Sequence, residues 1–338
     1  MRFAPLASIL GARAMRSLFA ALRPTGASMG AVPPSRLRGE MGSDRPDWEQ
    51  ANPRFIERAS AHAQAKGGGG WVVLDASRRI DKPRAFTVAG REWVAWRTDE
   101  GVRIAPNECP HMGARLDGGR CEGRGIVCPW HGLRLDQARG AWRPRPVYDD
   151  GVLLWARLLD DEAPTERPVL VERVPHVLEG TLRMEAKCEP EDIVANRLDP
   201  WHGAHYHPHS FATLTVLDAS VERIAVRVAY RAFGPFLVEV DCVFHAPTRR
   251  CIVMTITGGE GVGSVVETHA TPLGDGRSAV IETTLAATDR LPSSRLAAFA
   301  RPFIEARARR LWIEDIEYAE RRYELRTRSA RPRHLKVV

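Results

Sequence analysis

The sequence predicts an α+β protein in which an all-β domain precedes a second domain made of an antiparallel sheet and one long helix. Three features of the chain support this prediction. Between residues 71 and 158, short runs rich in Val and Trp are separated by Gly, Pro and charged turns. From 213 to 286, longer runs alternate apolar and polar residues, so one face of each strand should be buried. From 293 to about 326 the pattern is that of a single long helix, on which the sheet would close around a cavity.

Length and composition fit this two-domain arrangement. The 338 residues suffice for about two domains of ordinary size, and 44% hydrophobic with 27% charged residues is typical of a globular chain. We expect a disordered basic extension over 1–47, a helix and the all-β domain over 48–165, the second domain over 166–330 and a tail over 331–338. A polar, Pro-bearing segment at 160–168 is the expected linker.

The first 41 residues contain six Arg and a single acid, Glu40. This basic, acid-poor composition is similar to that of an organellar transit peptide, and no run approaches the roughly eighteen apolar residues of a membrane span. The readings left open are a disordered or non-native stretch with Met41 as the true start, a targeting segment, and an amphipathic helix on a membrane surface. We expect a cytoplasmic protein, with targeting or peripheral membrane contact as the alternatives.

The formal net charge is +7, and most of the positive charge is Arg spread along the chain. The charge reflects either an Arg-rich genome or an electropositive face that docks an acidic electron-transfer protein, since complementary charge speeds encounter. Because the basic residues are not interleaved with stacking aromatics, and no nucleic-acid-binding motif is present, we expect no nucleic-acid partner.

The first metal-ligating pattern is Cys109-Pro-His111, sixteen residues, then Cys128-Pro-Trp-His131. Each half is a short loop that can aim one thiolate and one imidazole at the same point. Thiolate and imidazole ligands suit iron–sulfur chemistry or zinc. A zinc finger more often places both Cys before both His, whereas two His replace two Cys on one iron of certain [2Fe–2S] centres.

The other four cysteines are Cys121, Cys188, Cys242 and Cys251. They are scattered without paired spacing, so we expect four reduced thiols, which fits a reducing compartment. Cys121 lies between the two loops but has no partner His at the right spacing.

The second pattern follows a helix start at Pro190, where acids occupy the first turn. Four of the eleven His fall within eight residues, at His202, His205, His207 and His209. Pro200 and Gly203 make a regular helix unfavourable here, so the chain can bend to bring His202 and His207 together. An iron site is favoured over a surface His-rich tract.

These motifs resemble those of a known family. Cys109-Pro-His111-Met-Gly113 and Cys128-Pro-Trp-His131-Gly132 resemble the two loops of a Rieske domain. The pattern Asn196-x₂-Asp199-x₂-His202-x₄-His207 resembles the mononuclear iron motif of Rieske non-haem iron oxygenases. The resemblance covers roughly residues 70–330.

The resemblance implies a role for each matched residue. Cys109 and Cys128 would hold one iron of a [2Fe–2S] cluster, and His111 and His131 the other. His202 and His207 would bind a mononuclear Fe(II), with His205 and His209 as the alternatives.

A distant carboxylate would complete a 2-His-1-carboxylate triad. Residues 311–320 resemble the family's Glu-Asp-x₄-Glu pattern, which makes Asp315 the expected third ligand and Glu314 the alternative. Asp315 stands among apolar neighbours, so we expect it to be at least partly buried. Asp199 would be the bridging carboxylate that links this iron to a Rieske histidine across a subunit boundary.

The same resemblance implies a helix-grip (START/Bet v1-like) second domain and the α subunit of a ring-hydroxylating-type terminal oxygenase, acting as a homotrimer. Electrons would come from a separate ferredoxin or NAD(P)H reductase, with NAD(P)H acting only indirectly, since the chain has no G-x-G-x-x-G fingerprint after a strand. The enzyme would use O₂ to hydroxylate, demethylate or desaturate an apolar aromatic, sterol or isoprenoid substrate. The alternative is a non-catalytic Rieske electron carrier. The expected cavity lining carries few fixed charges, and its members are Phe233, Phe236, Val238, Val240 and Phe244.

Overall fold

The structure is a computed structural model that describes residues 51–174, 177–233, 236–287 and 294–330. The expected basic extension and the expected tail lie outside these residues. Helix α1 (Pro53–Gln64) begins at Asn52, whose side-chain oxygen accepts a hydrogen bond from the Arg54 N–H at 3.0 Å. Pro53 at the first helical position removes a donor that would have no partner there.

The first domain consists of three antiparallel sheets of three strands each, ordered β1-β9-β8, β2-β3-β4 and β5-β6-β7. Its strands are β1 (Trp71–Ala76), β2 (Arg84–Val88), β3 (Arg91–Thr98), β4 (Gly101–Pro106), β5 (Arg120–Glu122), β6 (Gly125–Val127), β7 (Arg134–Leu135), β8 (Val147–Asp149) and β9 (Leu153–Arg157).

The two predicted metal-binding loops connect strands of this domain. The first follows β4 and the second joins β6 to β7. Fully buried side chains, among them Trp96, Leu116 and Ile126, form the core that supports both loops. The runs rich in Val and Trp do not include two short strands, β5 and β8, of three residues each.

The second domain is a seven-stranded antiparallel sheet of order β10-β16-β15-β14-β13-β12-β11, so its first strand pairs with its last. Its elements are β10 (Val177–Ala186), α2 (Pro190–Arg197), α3 (His202–Tyr206), β11 (Phe211–Ala219), β12 (Arg223–Phe233), β13 (Phe236–Thr248), β14 (Cys251–Gly259), β15 (Val265–Gly274), β16 (Arg277–Ala287) and α4 (Ser294–Ala330). The predicted α+β class, with a β domain followed by an antiparallel sheet and a long C-terminal helix, is confirmed. The boundaries between domains stay predictions.

Helix α4 packs on the sheet along one face, which includes Ala308, Trp312, Asp315 and Ala319. Their spacing of four, three and four residues matches the helical repeat, so all four point the same way. The three apolar members pack with side chains from β10 and β16. A carboxylate therefore occupies a position that the helical period assigns to the core.

No helix in the described ranges is both long and apolar enough to cross a membrane. All six cysteines fall within those ranges and are free thiols.

A buried ion pair ties the segment between the two domains to the second domain's sheet. Glu162 accepts hydrogen bonds from the N–H groups of Gly68 and Gly70, at 3.1 and 3.0 Å. Arg250, in the turn between β13 and β14, pairs with both carboxylate oxygens of Glu162 and donates to the Trp71 carbonyl at 3.2 Å. Burial alone would raise the pKa of Glu162, but Arg250 and the Gly70 N–H lower it to about 2.

We predict that Glu162→Gln lowers the free energy of unfolding by about 2 kcal/mol at neutral pH, the usual cost of losing hydrogen bonds to a charged group. Because the folded-state pKa lies below the ordinary 4.5, this stabilisation is complete above pH 4.5 and is lost as the pH falls towards 2. Urea unfolding between pH 7 and 3 measures it, with the exposed Glu166→Gln as the control. A difference between wild type and Glu162→Gln that did not shrink in acid would contradict the assignment.

Candidate active site

The two loops of the first domain have the same backbone geometry. The Gly113 N–H donates to the Cys109 carbonyl at 2.8 Å, and the Gly132 N–H donates to the Cys128 carbonyl at 3.0 Å. In both loops the cysteine N–H also donates to the carbonyl five residues further on, at 2.9 Å. The two glycines adopt φ of +75° and +72°, a region that L side chains rarely enter. Each glycine therefore lets its loop turn back on its cysteine.

The four predicted cluster ligands lie together. Cys109 and Cys128 are buried, and their side chains are close enough to share a hydrogen bond. His111 and His131 are exposed, with ring centroids 5.0 Å apart. Burial raises the pKa of the Cys109 thiol, and the N–H of His111, which donates to its sulfur, lowers it. One buried pair of sulfurs and one exposed pair of imidazoles fit a [2Fe–2S] cluster with one sulfur-ligated and one imidazole-ligated iron.

In the second domain, His202, His207 and Asp315 converge. Nε2 of His202 and Nε2 of His207 lie 3.1 and 3.0 Å from Oδ1 of Asp315. The bend arises because α2 ends at Arg197 and α3 has only five residues, which leaves His207 at its end with φ of −117°. Among the described residues, these three form a group whose donor atoms all lie within 4.8 Å of one another. Two neutral imidazoles and one carboxylate are the donor set of a mononuclear iron site, so the residues fit the metal.

The charges in this group favour a cation at its centre. Burial would raise the pKa of Asp315, but hydrogen bonds from both histidines hold it well below its ordinary value. Burial would lower the pKa of His207, but Asp315 and Glu314 raise it. Asn196 also donates to Oδ1 of Asp315, at 3.0 Å. The raised pKa of His207 shows that this position favours a positive charge, which a metal would supply when bound.

Glu314 and Asp315 approach His207 from opposite sides of its ring. Oε2 of Glu314 lies 2.5 Å from Nδ1 of His207, whereas Asp315 faces Nε2. A carboxylate on the second nitrogen of a metal-ligating histidine fixes its tautomer and orientation. The two alternatives that the sequence left open occupy different places in the structure. Asp315 lies in the group of three, and Glu314 lies behind His207.

Asp199 lies on the far side of His202 from Asp315. Oδ2 of Asp199 is 3.8 Å from Nδ1 of His202 and accepts a hydrogen bond from the Tyr318 hydroxyl at 3.1 Å. Oδ1 of Asp199 accepts the Trp201 N–H at 3.2 Å. The Tyr318 ring is stacked on the His202 ring, with centroids 5.2 Å apart. Tyr318 therefore contacts both groups and fixes their relative position.

The remaining candidates lie outside the group of three. His205 is exposed, and Nδ1 of His209 lies 3.8 Å from Oε1 of Glu314. Sequence reasoning missed the contacts of Asn196, Tyr318 and Glu314. The available signal was the helical spacing of Tyr318, three residues after Asp315, which places it on the neighbouring turn.

A cavity of about 320 Å³ opens directly on His202, His207 and Asp315. Its walls are mainly apolar, with side chains from β11 to β16 and α4 that include Leu214, Val228, Phe244, Met254, Val266 and Leu311. Phe244 was expected in the lining. Val238 and Val240 instead pack in the core, and the side chains of Phe233 and Phe236 lie outside the described part.

The expectation of few fixed charges in the lining was wrong, because Arg197, Glu282 and Arg307 all line the cavity. Arg197 extends from α2 and Arg307 from α4, two elements whose inward positions could not be read from the strand pattern.

Comparison with known proteins gives two family matches. Residues 70–151 match the Rieske [2Fe-2S] domain, and residues 159–330 match a family described as "Domain of unknown function (DUF5914)".

Two curated relatives and one solved structure are similar. Aminopyrrolnitrin oxygenase from Pseudomonas fluorescens is 33% identical over 91 residues, which cover 26% of this chain and 25% of the relative. The oxygenase component of chloroacetanilide N-alkylformylase from Rhizorhabdus wittichii is 27% identical over 157 residues, 39% of this chain and 44% of the relative. The chain thus spans less than half the length of either relative. The crystal structure of dicamba monooxygenase bound to dicamba has a TM-score of 0.61 at 18% identity, over 79% of this chain and 92% of that one, which shows a shared fold.

We predict that Asp315→Asn weakens binding of one divalent metal by about 100-fold, because it removes the anionic donor from the group of three, whereas Glu314→Gln weakens it by about tenfold by loosening His207. Titration of the cluster-containing protein with Fe(II) or Co(II) against a chelator measures both, with the half-buried Glu324→Gln, remote from the group of three on the same helix, as the control. A larger loss in Glu314→Gln than in Asp315→Asn would reverse their roles.

Proposed function

The chain belongs to the DUF5914 family and carries a Rieske [2Fe-2S] domain ahead of that region, and from this premise we propose that it is a terminal oxygenase. It passes electrons through the Rieske cluster to a mononuclear non-haem Fe(II) site and oxidises an apolar organic substrate with O₂. One observation carries the proposal: His202, His207 and Asp315 bring three metal-ligating atoms together at the wall of an apolar cavity. The names of the curated relatives, both oxygenases, support it.

Each metal centre has its own set of residues. Cys109, Cys128, His111 and His131 would hold the cluster, and His202, His207 and Asp315 would hold the iron. When bound, the cluster supplies single electrons and the iron supplies activation of O₂. The protein orients the ligands: Glu314 holds His207 through Nδ1, and Asn196 holds Asp315 through its amide. The apolar walls exclude water and seat the hydrocarbon of the substrate.

Asp199 connects the two kinds of centre in this proposal. Its carboxylate would link His202 to a cluster histidine of a neighbouring subunit, within a homotrimer. Three contacts hold the carboxylate in place, namely the Trp201 N–H, the Tyr318 hydroxyl and the approach of His202. His111 and His131 are exposed, so a second subunit can reach them.

The electrons would come from a separate ferredoxin or an NAD(P)H reductase. The name of the chloroacetanilide relative, an oxygenase component, supports a system with further components. NAD(P)H would act only through the reductase. The four cysteines outside the cluster form no disulfide among the described residues, which suits a reducing compartment, and we place the protein in the cytoplasm on that ground.

The substrate would be an apolar aromatic, sterol or isoprenoid molecule. Hydroxylation, demethylation and desaturation are all compatible with this site.

We place the division between the two domains in the segment 160–168, which the Glu162–Arg250 ion pair holds against the second sheet.

The alternative function is that of an electron carrier that uses only the Rieske cluster. An electron carrier needs no second metal. It therefore gives no role to the two histidines and the carboxylate that lie together beside the cavity.

We predict that Asp199→Asn retains both metals but slows O₂-dependent reoxidation of the reduced cluster at least tenfold, about 1.4 kcal/mol in the barrier, because the link to His202 loses its charge. Tyr318→Phe should slow it by a smaller factor, since Asp199 keeps its other contacts. Stopped-flow absorbance of the dithionite-reduced protein mixed with O₂ measures both rates, and Tyr323→Phe on the same helix is the control.

Wild-type reoxidation in Asp199→Asn would contradict the bridging role. A wild-type rate unchanged by chelation of the second metal would favour the electron carrier.

A further inference from the structure

Arg197 is a cation in the cavity without an anionic partner. It is the last residue of α2, and its guanidinium lies over the Phe244 ring at 5.6 Å. Its Nε is buried and has no hydrogen-bond partner. Within the described residues, no carboxylate comes within 4.0 Å of the guanidinium. By contrast, Arg173, Arg250 and Arg322, whose side chains are 10 to 16% exposed, each pair with a carboxylate.

The rest of the cavity does not balance this charge. Arg307 also lines it, and among the described residues its guanidinium donates only to the Arg231 carbonyl, at 2.8 Å. Glu282 is the nearest compensating group, but its Oε2 already accepts hydrogen bonds from Trp312 at 2.8 Å and Thr268 at 3.0 Å. Burial raises the pKa of Glu282, and the charge of Arg197 is the main effect that opposes this rise, although the two side chains form no ion pair. The cavity therefore presents two guanidinium groups and three carboxyl groups, Asp199, Glu282 and Asp315, and each carboxyl group accepts hydrogen bonds from residues other than these arginines.

A cation that is removed from water without a partner is costly, so such a group in a binding cavity indicates an anionic ligand. A guanidinium binds two coplanar oxygens through parallel N–H bonds, which matches a carboxylate. The walls around Arg197 are mainly apolar and leave room for hydrocarbon. They offer few polar groups to solvate a larger anion such as a phosphate.

We propose that the substrate is an apolar carboxylic acid, whose carboxylate pairs with Arg197 while its hydrocarbon part fills the cavity. This inference rests on the proposed function, because the ligand is a substrate only if the protein is an oxygenase. It narrows the apolar substrates to molecules with one acidic end. Arg197 acts here as a specificity-determining residue.

Binding can be tested without turnover. Isothermal titration of the holoprotein would use three acids, namely naphthalene-2-carboxylate, decanoate and farnesoate, each compared with its primary amide. We expect at least one acid to bind tenfold or more tightly than its amide. Arg197→Met should abolish that preference and leave the affinity for the amide within about twofold, while Arg197→Lys should retain part of it. The exposed Arg309→Met is the matched control.

Three results would overturn the proposal: no acid binds more tightly than its amide, the preference survives in Arg197→Met, or Arg197→Met weakens acid and amide equally. The same titration in His207→Ala separates this inference from the proposed function. A preference that persists in His207→Ala belongs to Arg197 whether or not the protein is an oxygenase. A preference that disappears there belongs to the metal and contradicts the inference.

Discussion

The second domain depends on one oxygen atom, Oδ1 of Asp315. It accepts hydrogen bonds from Asn196 on α2, His202 on α3 and His207 at the end of α3, at distances of 3.0 to 3.1 Å. All three donors lie more than 100 residues before Asp315 in the chain. A buried carboxylate is costly unless it is fully paired, so these three donors must stay in place for α4 to pack on the sheet. The packing of α4 and the geometry of the proposed metal site therefore depend on the same hydrogen bonds to Asp315.

Asp315 has neighbours that extend its influence in two directions along α4. One residue earlier, Glu314 reaches the outer nitrogen of His207, and three residues later, Tyr318 holds Asp199 and stacks on His202. Residues of α4 thus contact His207 at both ring nitrogens. They contact His202 at Nε2 and on one face of its ring. Such support from outside the ligand set keeps a metal site rigid, and here the spacing of a single helix supplies it.

Local patterns predicted much of this structure. The paired loops around Cys109 and Cys128, the alternation in β12 and the helical period that buries Asp315 are all properties of short segments, so the sequence could reveal them. Pro200 and Gly203 likewise indicated the bend that brings His202 and His207 together. The contacts of Arg197 and Glu282 could not be predicted, because each depends on which side chains face each other across the sheet and helices. The error about cavity charge has the same origin: strand alternation identifies the inward face of a sheet, but Arg197 and Arg307 enter the cavity from helices.

The most direct test of the account is the metal content of anaerobically purified protein, determined as iron, zinc and acid-labile sulfide per chain beside EPR of the reduced cluster. We expect about three irons and two sulfides per chain, from one [2Fe–2S] cluster and one mononuclear site. The His202→Ala/His207→Ala double variant should lose about one iron and keep both sulfides and the EPR signal of the cluster. Two irons in both proteins, unchanged by added Fe(II), would contradict the second metal site, and zinc without sulfide would contradict both sites.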